Sequence, residues 1–133
     1  MSIHDLTVSD LMTTALVTVK SKDTVKLADL DMRLAEIRHI PIVDDRNRLV
    51  GIVSNRDLFR VLGKRGGRDV AVKDIMTTRL YTAREDTPAA DACAMMIEHK
   101  IGALPVLNED EELVGIVTET DMLRVAHQAL TRG

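Results

Sequence analysis

The sequence predicts an α+β protein in which one β-α-β-β-α unit is written twice. The clearest observation is a repeated stretch: residues 48–57 read RLVGIVSNRD and residues 112–121 read ELVGIVTETD. Other landmarks of the chain keep the same offset of 64 positions. Pairing residues 8–61 with residues 72–125 gives identity at roughly one position in three, which is a long-period internal repeat.

Each repeat is predicted to begin with a short strand and a helix. Residues 16–19 alternate and are rich in β-branched side chains, which is typical of a strand. Thr24 is expected to cap the helix that follows. In the second repeat we expect Thr87 to be the N-cap and Pro88 the first helical residue, because proline lacks an N–H that this position leaves unbonded.

A hairpin and a second helix are predicted next. Residues 40–43 and 104–107 are short apolar runs with proline in second place. Since proline cannot donate to a ladder, we expect each run to start at its proline or to lie at a sheet edge. Polar turns then lead into the repeated stretch, and a helix follows from Asp57 or Asp121. A sheet this small exposes an apolar face unless the other copy covers it.

Composition limits the class of protein. A chain of 133 residues has room for one compact domain or two half-domains that share a core. No stretch approaches the roughly 20 apolar residues of a membrane span, and the start of the chain lacks the apolar core of a signal peptide. A single cysteine, Cys93, favours a reducing cytoplasm. The net charge of −3 and the 2% aromatic content argue against nucleic-acid binding.

The repeats define the predicted domain organisation. Residues 1–64 form the first repeat with its N-terminal leader, and residues 72–133 form the second. Residues 65–71 are a basic, Gly-rich linker between them. Together the two repeats are expected to make one globular module.

The motif at the end of the repeated stretch has two interpretations. Ser54 with Asp57, and Thr118 with Asp121, fit a helix capping box, which satisfies backbone donors and needs no ligand. The same geometry places a helix N-terminus at the end of a strand, where free N–H groups suit a phosphate. A neighbouring carboxylate suits ribose hydroxyls. Recurrence at the same spacing favours the binding role.

The chain resembles a tandem pair of cystathionine-β-synthase-type (CBS) domains, over nearly all of residues 6–127. The matching residues are 8–13, 37–44 and 51–57 in the first copy, and 72–77, 101–106 and 115–121 in the second. The resemblance implies two repeats related by a pseudo-two-fold axis, with two clefts between their sheets. It also implies an adenosine-containing ligand: AMP, ADP, ATP, S-adenosylmethionine or a dinucleotide.

The resemblance implies a role for particular residues. Ribose hydroxyls would be held by Asp57 and Asp121, and phosphate would be approached by Ser54, Arg56, Thr118 and Thr120. The base would contact strand backbone around Ile42 and Val106, Thr14 and Thr78 would come from the other repeat, and Arg38 and His39 would add phosphate contacts. The second copy departs from this pattern, because it has Gly102 and Ala103 in place of Arg38 and His39.

The two clefts differ in their basic side chains, and this predicts a difference in their affinity for phosphate. Arg56 and Arg38 would serve the Asp57 cleft, whereas the other cleft would have Thr120 from its own motif and His39 from the first repeat. A phosphorylated adenosine ligand is therefore expected to prefer the Asp57 cleft.

The sequence leaves three functions to compare. The preferred one is a regulatory module that senses an adenine nucleotide and acts on a partner protein, with no obligatory cofactor. The alternative is a ligand-free module that works through dimerisation and protein contacts. An enzyme is disfavoured because the residues suggest no nucleophile, acid–base pair or metal site. The apolar helices after Asp57 and Asp121 predict a homodimer.

Overall fold

The computed structural model describes residues 2–132. The helices and strands are α1 (Val8–Leu11), β1 (Val19–Lys20), α2 (Val25–Ala35), β2 (His39–Val43), β3 (Leu49–Ser54), α3 (Asn55–Leu62), β4 (Ala83–Arg84), α4 (Ala89–His99), β5 (Ala103–Leu107), β6 (Leu113–Thr118) and α5 (Glu119–Arg132). Short 3-10 turns lie at Ile3–Asp5, Gly67–Asp69 and Val72–Asp74. The prediction of an α+β fold with two β-α-β-β-α repeats is confirmed.

The chain forms two compact units. The central unit comprises residues 17–80, and the terminal unit comprises residues 2–16 together with residues 81–132. Each unit contains one three-stranded sheet, in the order β1-β2-β3 or β4-β5-β6. The first pair of strands in each sheet is parallel and the second pair is antiparallel.

Each core combines the strands with the helix that precedes the hairpin. The core of the central unit contains Val19, Val25, Ala28, Met32, Ile40, Ile42, Val53, Leu58 and Val72. The core of the terminal unit contains Val8, Ala83, Ala92, Met96, Leu104, Val106 and Val117. Burial of these aliphatic side chains is the main stabilising term for a unit of this size.

Segments outside each sequence repeat complete the two cores. Val8, from the start of the chain, is fully buried in the terminal unit, and its N–H donates to the Thr87 carbonyl at 2.8 Å. Val72, which follows the linker, is fully buried in the central unit, and its N–H donates to the Asp23 carbonyl at 2.8 Å. Residues 1–64 and 72–133 therefore describe the sequence repeat, while the compact units divide the chain at other points.

Two local predictions are wrong. The first strand is Val19–Lys20 rather than residues 16–19, because only these two residues pair with β2. Thr87 does not cap α4: Pro88 has the extended ψ of 137° and occupies the N-cap position. The Thr87 hydroxyl instead accepts the Arg84 N–H at 2.9 Å, so this threonine closes the turn before the helix. Thr24 caps α2 as predicted, since its hydroxyl accepts the Leu27 N–H at 3.3 Å.

The prediction that each proline starts its strand or lies at a sheet edge is wrong. Both prolines lie in the middle of the central strand of their sheet. Pro41 is the third of five residues in β2 and stands opposite Ile52 of β3. The N–H and carbonyl of Ile52 bond to Thr77, on the side away from β2, so this pair requires no ladder bond from proline. On its other side, β1 pairs only with Ile42 and Val43. The central strand accepts proline because β1 begins opposite Ile42, one residue beyond Pro41, and so needs no N–H from the proline.

Among the described residues, no helix is both long and apolar enough to cross a membrane.

Candidate functional site

A strand-to-helix junction in the central unit forms the first candidate site. β3 ends at Ser54 and α3 begins at Asn55. The Ser54 N–H donates to Asp57 Oδ2 at 2.9 Å, and the Asp57 N–H donates to Ser54 Oγ at 3.2 Å. This reciprocal pair is a complete capping box, in which the serine hydroxyl acts as an acceptor.

In the matching junction of the terminal unit the hydroxyl donates a hydrogen bond instead of accepting one. β6 ends at Thr118 and α5 begins at Glu119. The Thr118 N–H donates to Asp121 Oδ2 at 2.8 Å, as in the first repeat. The Thr118 hydroxyl also donates to Asp121 Oδ2, at 3.2 Å. Its proton is therefore engaged within the motif.

The two aspartates differ in exposure and in their arginine partner. The side chain of Asp57 is 25% exposed, and its Oδ1 lies 4.0 Å from Arg60. The side chain of Asp121 is only 7% exposed, and its Oδ1 accepts from Arg124 at 3.4 Å. Both carboxylates use Oδ2 for the cap, so Oδ1 is the atom that a ligand hydroxyl would reach. The Asp57 side chain as a whole is the more exposed of the two.

A Met-Thr segment lies on the strand that leads into each junction. In the central unit Thr77 exchanges backbone hydrogen bonds with Ile52, at 3.0 and 2.9 Å. In the terminal unit Thr13 does the same with Ile116, at 2.9 and 3.1 Å. Each sheet is thereby extended by a short segment from the neighbouring sequence repeat. The next residues, Thr78 and Thr14, are exposed.

The glycine of each repeated stretch admits the methionine of that segment. A Cβ built on Gly51 would lie 2.8 Å from Met76 Cγ, and one built on Gly115 would lie 3.0 Å from Met12 Cγ. Both distances are shorter than ordinary van der Waals contact, so any side chain at either glycine would displace the methionine. The glycine is therefore required by close packing and not by an unusual φ angle.

The sequence profile of the CBS domain matches residues 8–64 and 72–128. The chain belongs to the CBS domain family. These two segments include both strand-to-helix junctions and both Met-Thr segments.

Solved CBS structures share this fold closely. The CBS domain pair of protein MJ0100, in complex with 5′-methylthioadenosine and S-adenosyl-L-methionine, superimposes with a TM-score of 0.86 at 29% identity, covering 93% of this chain and 98% of that one. CBSX2, a CBS-pair protein from Arabidopsis thaliana, in complex with AMP gives 0.81 at 33% identity, with 92% and 97% covered. The cytosolic domain of the Mg²⁺ channel MgtE, in complex with ATP, gives 0.77 at 32% identity, with 90% and 48% covered.

Curated relatives are mostly much longer than this chain. Inosine-5′-monophosphate dehydrogenase from Halobacterium salinarum is 37% identical over 107 residues, which are 80% of this chain and 21% of that enzyme. The chain spans between a fifth and a quarter of the length of the first curated relatives that it matches.

The residues that the CBS resemblance singles out fall into two groups. The central unit contains Arg38, His39, Ile42, Ser54, Arg56, Asp57 and Thr78, and the terminal unit contains Thr14, Val106, Thr118, Thr120 and Asp121. Leaving His39 aside, we refer to these groups as the Asp57 site and the Asp121 site. The assignment of His39 to the Asp121 site stays a prediction.

Backbone contacts organise the Asp57 site. The Asn55 N–H donates to the Arg38 carbonyl at 2.8 Å, which fixes the start of α3 against the residue that precedes β2. His39 stands opposite Ser54 in the ladder, and Ile42 stands opposite Gly51. The Ile42 side chain is fully buried, whereas the side chains of Arg38 and Arg56 are exposed.

The Asp121 site has the same backbone frame with less charge. The Glu119 N–H donates to the Gly102 carbonyl at 3.1 Å, and Val106 stands opposite Gly115. Thr120 is exposed at the position where the other site has Arg56. The first turn of α5 therefore offers an acidic and a neutral side chain, where α3 offers asparagine and arginine.

Sequence reasoning missed two features. Arg60 lies 4.0 Å from Asp57, and Arg124 lies 3.4 Å from Asp121. Their spacing of three residues from an aspartate on a helix was the available signal. Met12 and Met76 cover the glycines, and a glycine inside an apolar strand indicates such a close approach.

Proposed function

We propose that this chain is a regulatory module that binds an adenosine-containing ligand at the Asp57 and Asp121 sites and transmits occupancy to a partner protein. The observation that supports this most is the combination found at each junction. A carboxylate held by a capping bond, the N–H groups of a helix start and an extended Met-Thr segment lie on the same strand end.

The chemistry of each group suits one part of the ligand. Oδ1 of the aspartate can accept from ribose hydroxyls while Oδ2 keeps the helix cap. The N–H groups and positive dipole of the helix start suit a phosphate. The paired strands beside Ile42 and Val106 provide backbone groups for an adenine ring.

The ligands bound in the similar structures support the same ligand class. AMP, ATP, 5′-methylthioadenosine and S-adenosyl-L-methionine differ in charge and in the group at the 5′ position, but all contain adenosine. A module of the same family that recognises adenosine through a carboxylate and strand backbone would accept this whole class. We propose that this protein binds its ligand reversibly and has no catalytic role of its own.

The Asp57 site is proposed to be the stronger phosphate site. Arg56 lies in the first turn of α3, and the Asp57 carboxylate is the more exposed of the two. A charge-assisted hydrogen bond from arginine contributes about 1.5–3 kcal/mol. We therefore expect AMP to bind the Asp57 site roughly tenfold more tightly than the Asp121 site, and uncharged adenosine to show little preference.

Titration calorimetry tests this with AMP and adenosine on Asp57→Asn and Asp121→Asn, a matched pair that keeps the side-chain shape. We expect Asp57→Asn to remove the tighter AMP event and Asp121→Asn to leave it in place. Circular dichroism at the titration temperature verifies that both variants are folded. Survival of tight AMP binding in Asp57→Asn, with its loss in Asp121→Asn, would contradict the assignment. Absence of binding by AMP, ATP, adenosine and S-adenosylmethionine would contradict the ligand class.

We also propose that the protein forms a homodimer through its helices and works in the cytoplasm. Phe59 is 81% exposed and Leu123 is 68% exposed, at matching positions of α3 and α5. Large apolar side chains exposed at equivalent places indicate a contact surface. A protein that binds no adenosine ligand but dimerises would fit the alternative function, which is a module acting only through protein contacts. Light scattering at tens of micromolar measures the dimer directly, and a monomer mass would contradict it.

A further inference from the structure

Residues 64–74, which connect the two sequence repeats, pack beside residues 20–26 at the start of α2. The Val25 N–H donates to the Val70 carbonyl at 2.8 Å, and Val72 is fully buried in the central unit. The two segments therefore lie next to each other along one edge of that unit. We call their six exposed, unpaired cations the basic edge: Lys22, Lys26, Lys64, Arg65, Arg68 and Lys73.

The charge of the basic edge is not balanced within the central unit. The two segments carry seven lysines and arginines and three aspartates, a net charge of +4 in a chain whose total is −3. The seventh cation, Lys20, pairs with Asp45 at 3.5 Å. Among the described residues, no acidic group lies in ion-pair range of the other six. One of the three aspartates, Asp23, is used locally, because its Oδ2 accepts the Lys20 N–H at 2.7 Å.

The terminal unit has the same backbone frame with the opposite charge. Its Ala89 N–H donates to the Leu6 carbonyl at 2.9 Å, which matches the bond from Val25 to Val70. Residues 84–90 and 2–10, together with Arg132 at the end of α5, carry two arginines and four acidic residues, a net charge of −2. The fold of this edge therefore does not require positive charge, and the cations of the basic edge are available for binding.

The composition of the basic edge indicates its partner. Exposed lysine and arginine attract an anionic surface. The two aromatic residues of the chain, Phe59 and Tyr81, lie outside both segments, so no ring there can stack on the bases of a single strand. The interspersed aspartates would repel a continuous array of phosphates, in nucleic acid or on a bilayer, but they can pair with basic groups of a protein. The edge therefore fits an acidic protein segment.

α3 connects the basic edge to the Asp57 site. The helix begins at Asn55, beside that site, and ends at Leu62, just before the connecting segment. Gly67 of that segment packs closely on α3, because a Cβ there would overlap the Val61 carbonyl. The eight residues of α3 are only about 12 Å long. A displacement of the helix start is therefore transmitted over a short, rigid element to the basic edge.

We propose that the basic edge is the docking surface for an acidic segment of the regulated protein. This proposal rests on the proposed regulatory function and specifies the chemistry of the partner. The ligand at the Asp57 site and the partner at the basic edge occupy opposite ends of α3. Each changes the affinity for the other by the same factor, because coupling between two binding equilibria is reciprocal.

Fluorescence anisotropy with a labelled poly-L-glutamate peptide, at about 0.15 M salt, tests the docking surface. We expect the unchanged protein to bind the peptide, and the double variant Lys64→Glu with Arg65→Glu to raise the dissociation constant about tenfold. Lys100→Glu with Arg132→Glu makes the same charge change on exposed residues of the terminal unit and serves as the matched control. Equal losses in the two double variants would overturn the proposal, because net charge alone would then explain the binding.

A second variant keeps the proposal falsifiable if the first one folds poorly. Lys22→Glu with Lys26→Glu removes charge from the other segment, at a helix start that tolerates acidic residues, and should weaken peptide binding similarly. An unchanged affinity in this variant would overturn the proposal. Tighter binding of a poly-dT oligonucleotide or of phosphatidylserine vesicles than of the peptide would assign the edge to another class of partner and overturn it as well.

Titration with AMP separates this proposal from the proposed function. Saturation with AMP should change the affinity of the unchanged protein for the peptide, and no change would overturn the coupling through α3. AMP binding without peptide binding would overturn the docking surface alone. Peptide binding without binding of any adenosine ligand would overturn the ligand class alone.

Discussion

The Ser54 junction and the Thr118 junction have the same backbone frame, but the hydroxyl group is a hydrogen-bond acceptor in the first and a donor in the second. Ser54 accepts the N–H of Asp57, whereas Thr118 donates to the carboxylate of Asp121. The carboxylate of Asp121 is also the more buried and lies closer to its arginine. The difference teaches that the same sequence motif can bond its hydroxyl differently in its two copies and can bury its carboxylate to different extents.

The energetic consequence follows from burial. A carboxylate that receives a backbone N–H, a hydroxyl and a guanidinium while almost fully buried leaves unsatisfied donors when it is removed. A carboxylate that is a quarter exposed leaves donors that water can reach. Asp121 is therefore expected to contribute more to folding than Asp57.

The largest effect that separates the two junctions is expected for removal of each carboxylate. Asp121→Ala should lower the free energy of unfolding by about 2–3 kcal/mol, because it removes a helix cap and leaves two half-buried donors of Thr118 without their acceptor. Asp57→Ala should lower it by about 1 kcal/mol, since water replaces the lost contacts. Urea denaturation of both variants at neutral pH, without ligand, measures the difference. Equal losses, or a larger loss for Asp57→Ala, would contradict the expectation that Asp121 contributes more to stability than Asp57.

A smaller loss of stability is expected for changes at the two glycines, and it should be equal in the two repeats. Gly51→Ala and Gly115→Ala should each cost about 1–2 kcal/mol, because the added Cβ overlaps Met76 or Met12. A double-mutant cycle with Met76→Ala or Met12→Ala gives the coupling energy, and the glycine change should cost less in either truncated background. Coupling near zero in both cycles would show that the methionines do not restrict these positions.

The smallest effect concerns the hairpin turns. Asp44 Oδ1 accepts the N–H groups of Arg46 and Arg48, both at 2.9 Å, and Asn108 Oδ1 receives the matching pair in the terminal unit. The Arg48 N–H bond is the main reason that the pKa of Asp44 lies below its ordinary value of 3.8. A lowered folded pKa stabilises the protein above the unfolded pKa, and this contribution is lost as the pH falls through the folded value.

The amide at position 108 cannot titrate, so acid should weaken this pair of Oδ1 hydrogen bonds only in the central unit. Asp44→Asn copies the second repeat and should reduce the loss of stability between pH 5 and pH 3, with a slightly lower stability at pH 7, where the ionised Asp44 makes its full contribution. Urea midpoints at the three pH values, compared with those of the unchanged protein, measure it. An identical pH dependence for Asp44→Asn would mean that other carboxylates account for the whole effect.

The order of elements was predictable because the signals are local and occur twice. The alternation of apolar residues, the Thr24 cap and the Ser54-to-Asp57 spacing each fix a local structure, and the second copy repeats the evidence. Thr87 was misassigned because threonine before proline is a strong capping signal, and nothing nearby indicates that its hydroxyl instead bonds to Arg84.

The difference between the junctions could not be predicted from the sequence. Ser54 and Thr118 are both hydroxyl residues, and Asp57 and Asp121 are the same residue type. Which hydroxyl donates, and which carboxylate is buried, depends on the folded geometry and not on the residue type. The close approach of Met12 and Met76 is a long-range contact, and only the two glycines hinted at it.

The way in which Val8 and Val72 complete their cores has a topological consequence. Lys64 and Arg65 are exposed in the link between the sequence repeats, where a protease could reach the chain. Cleavage after Arg65 leaves Val8 on one fragment and the rest of the terminal core on the other, while Val72 is separated from the rest of the central core. Neither fragment then contains a whole hydrophobic core, and the two can separate only by opening both units. A single cut in this link therefore does not divide the protein into two independently folded halves.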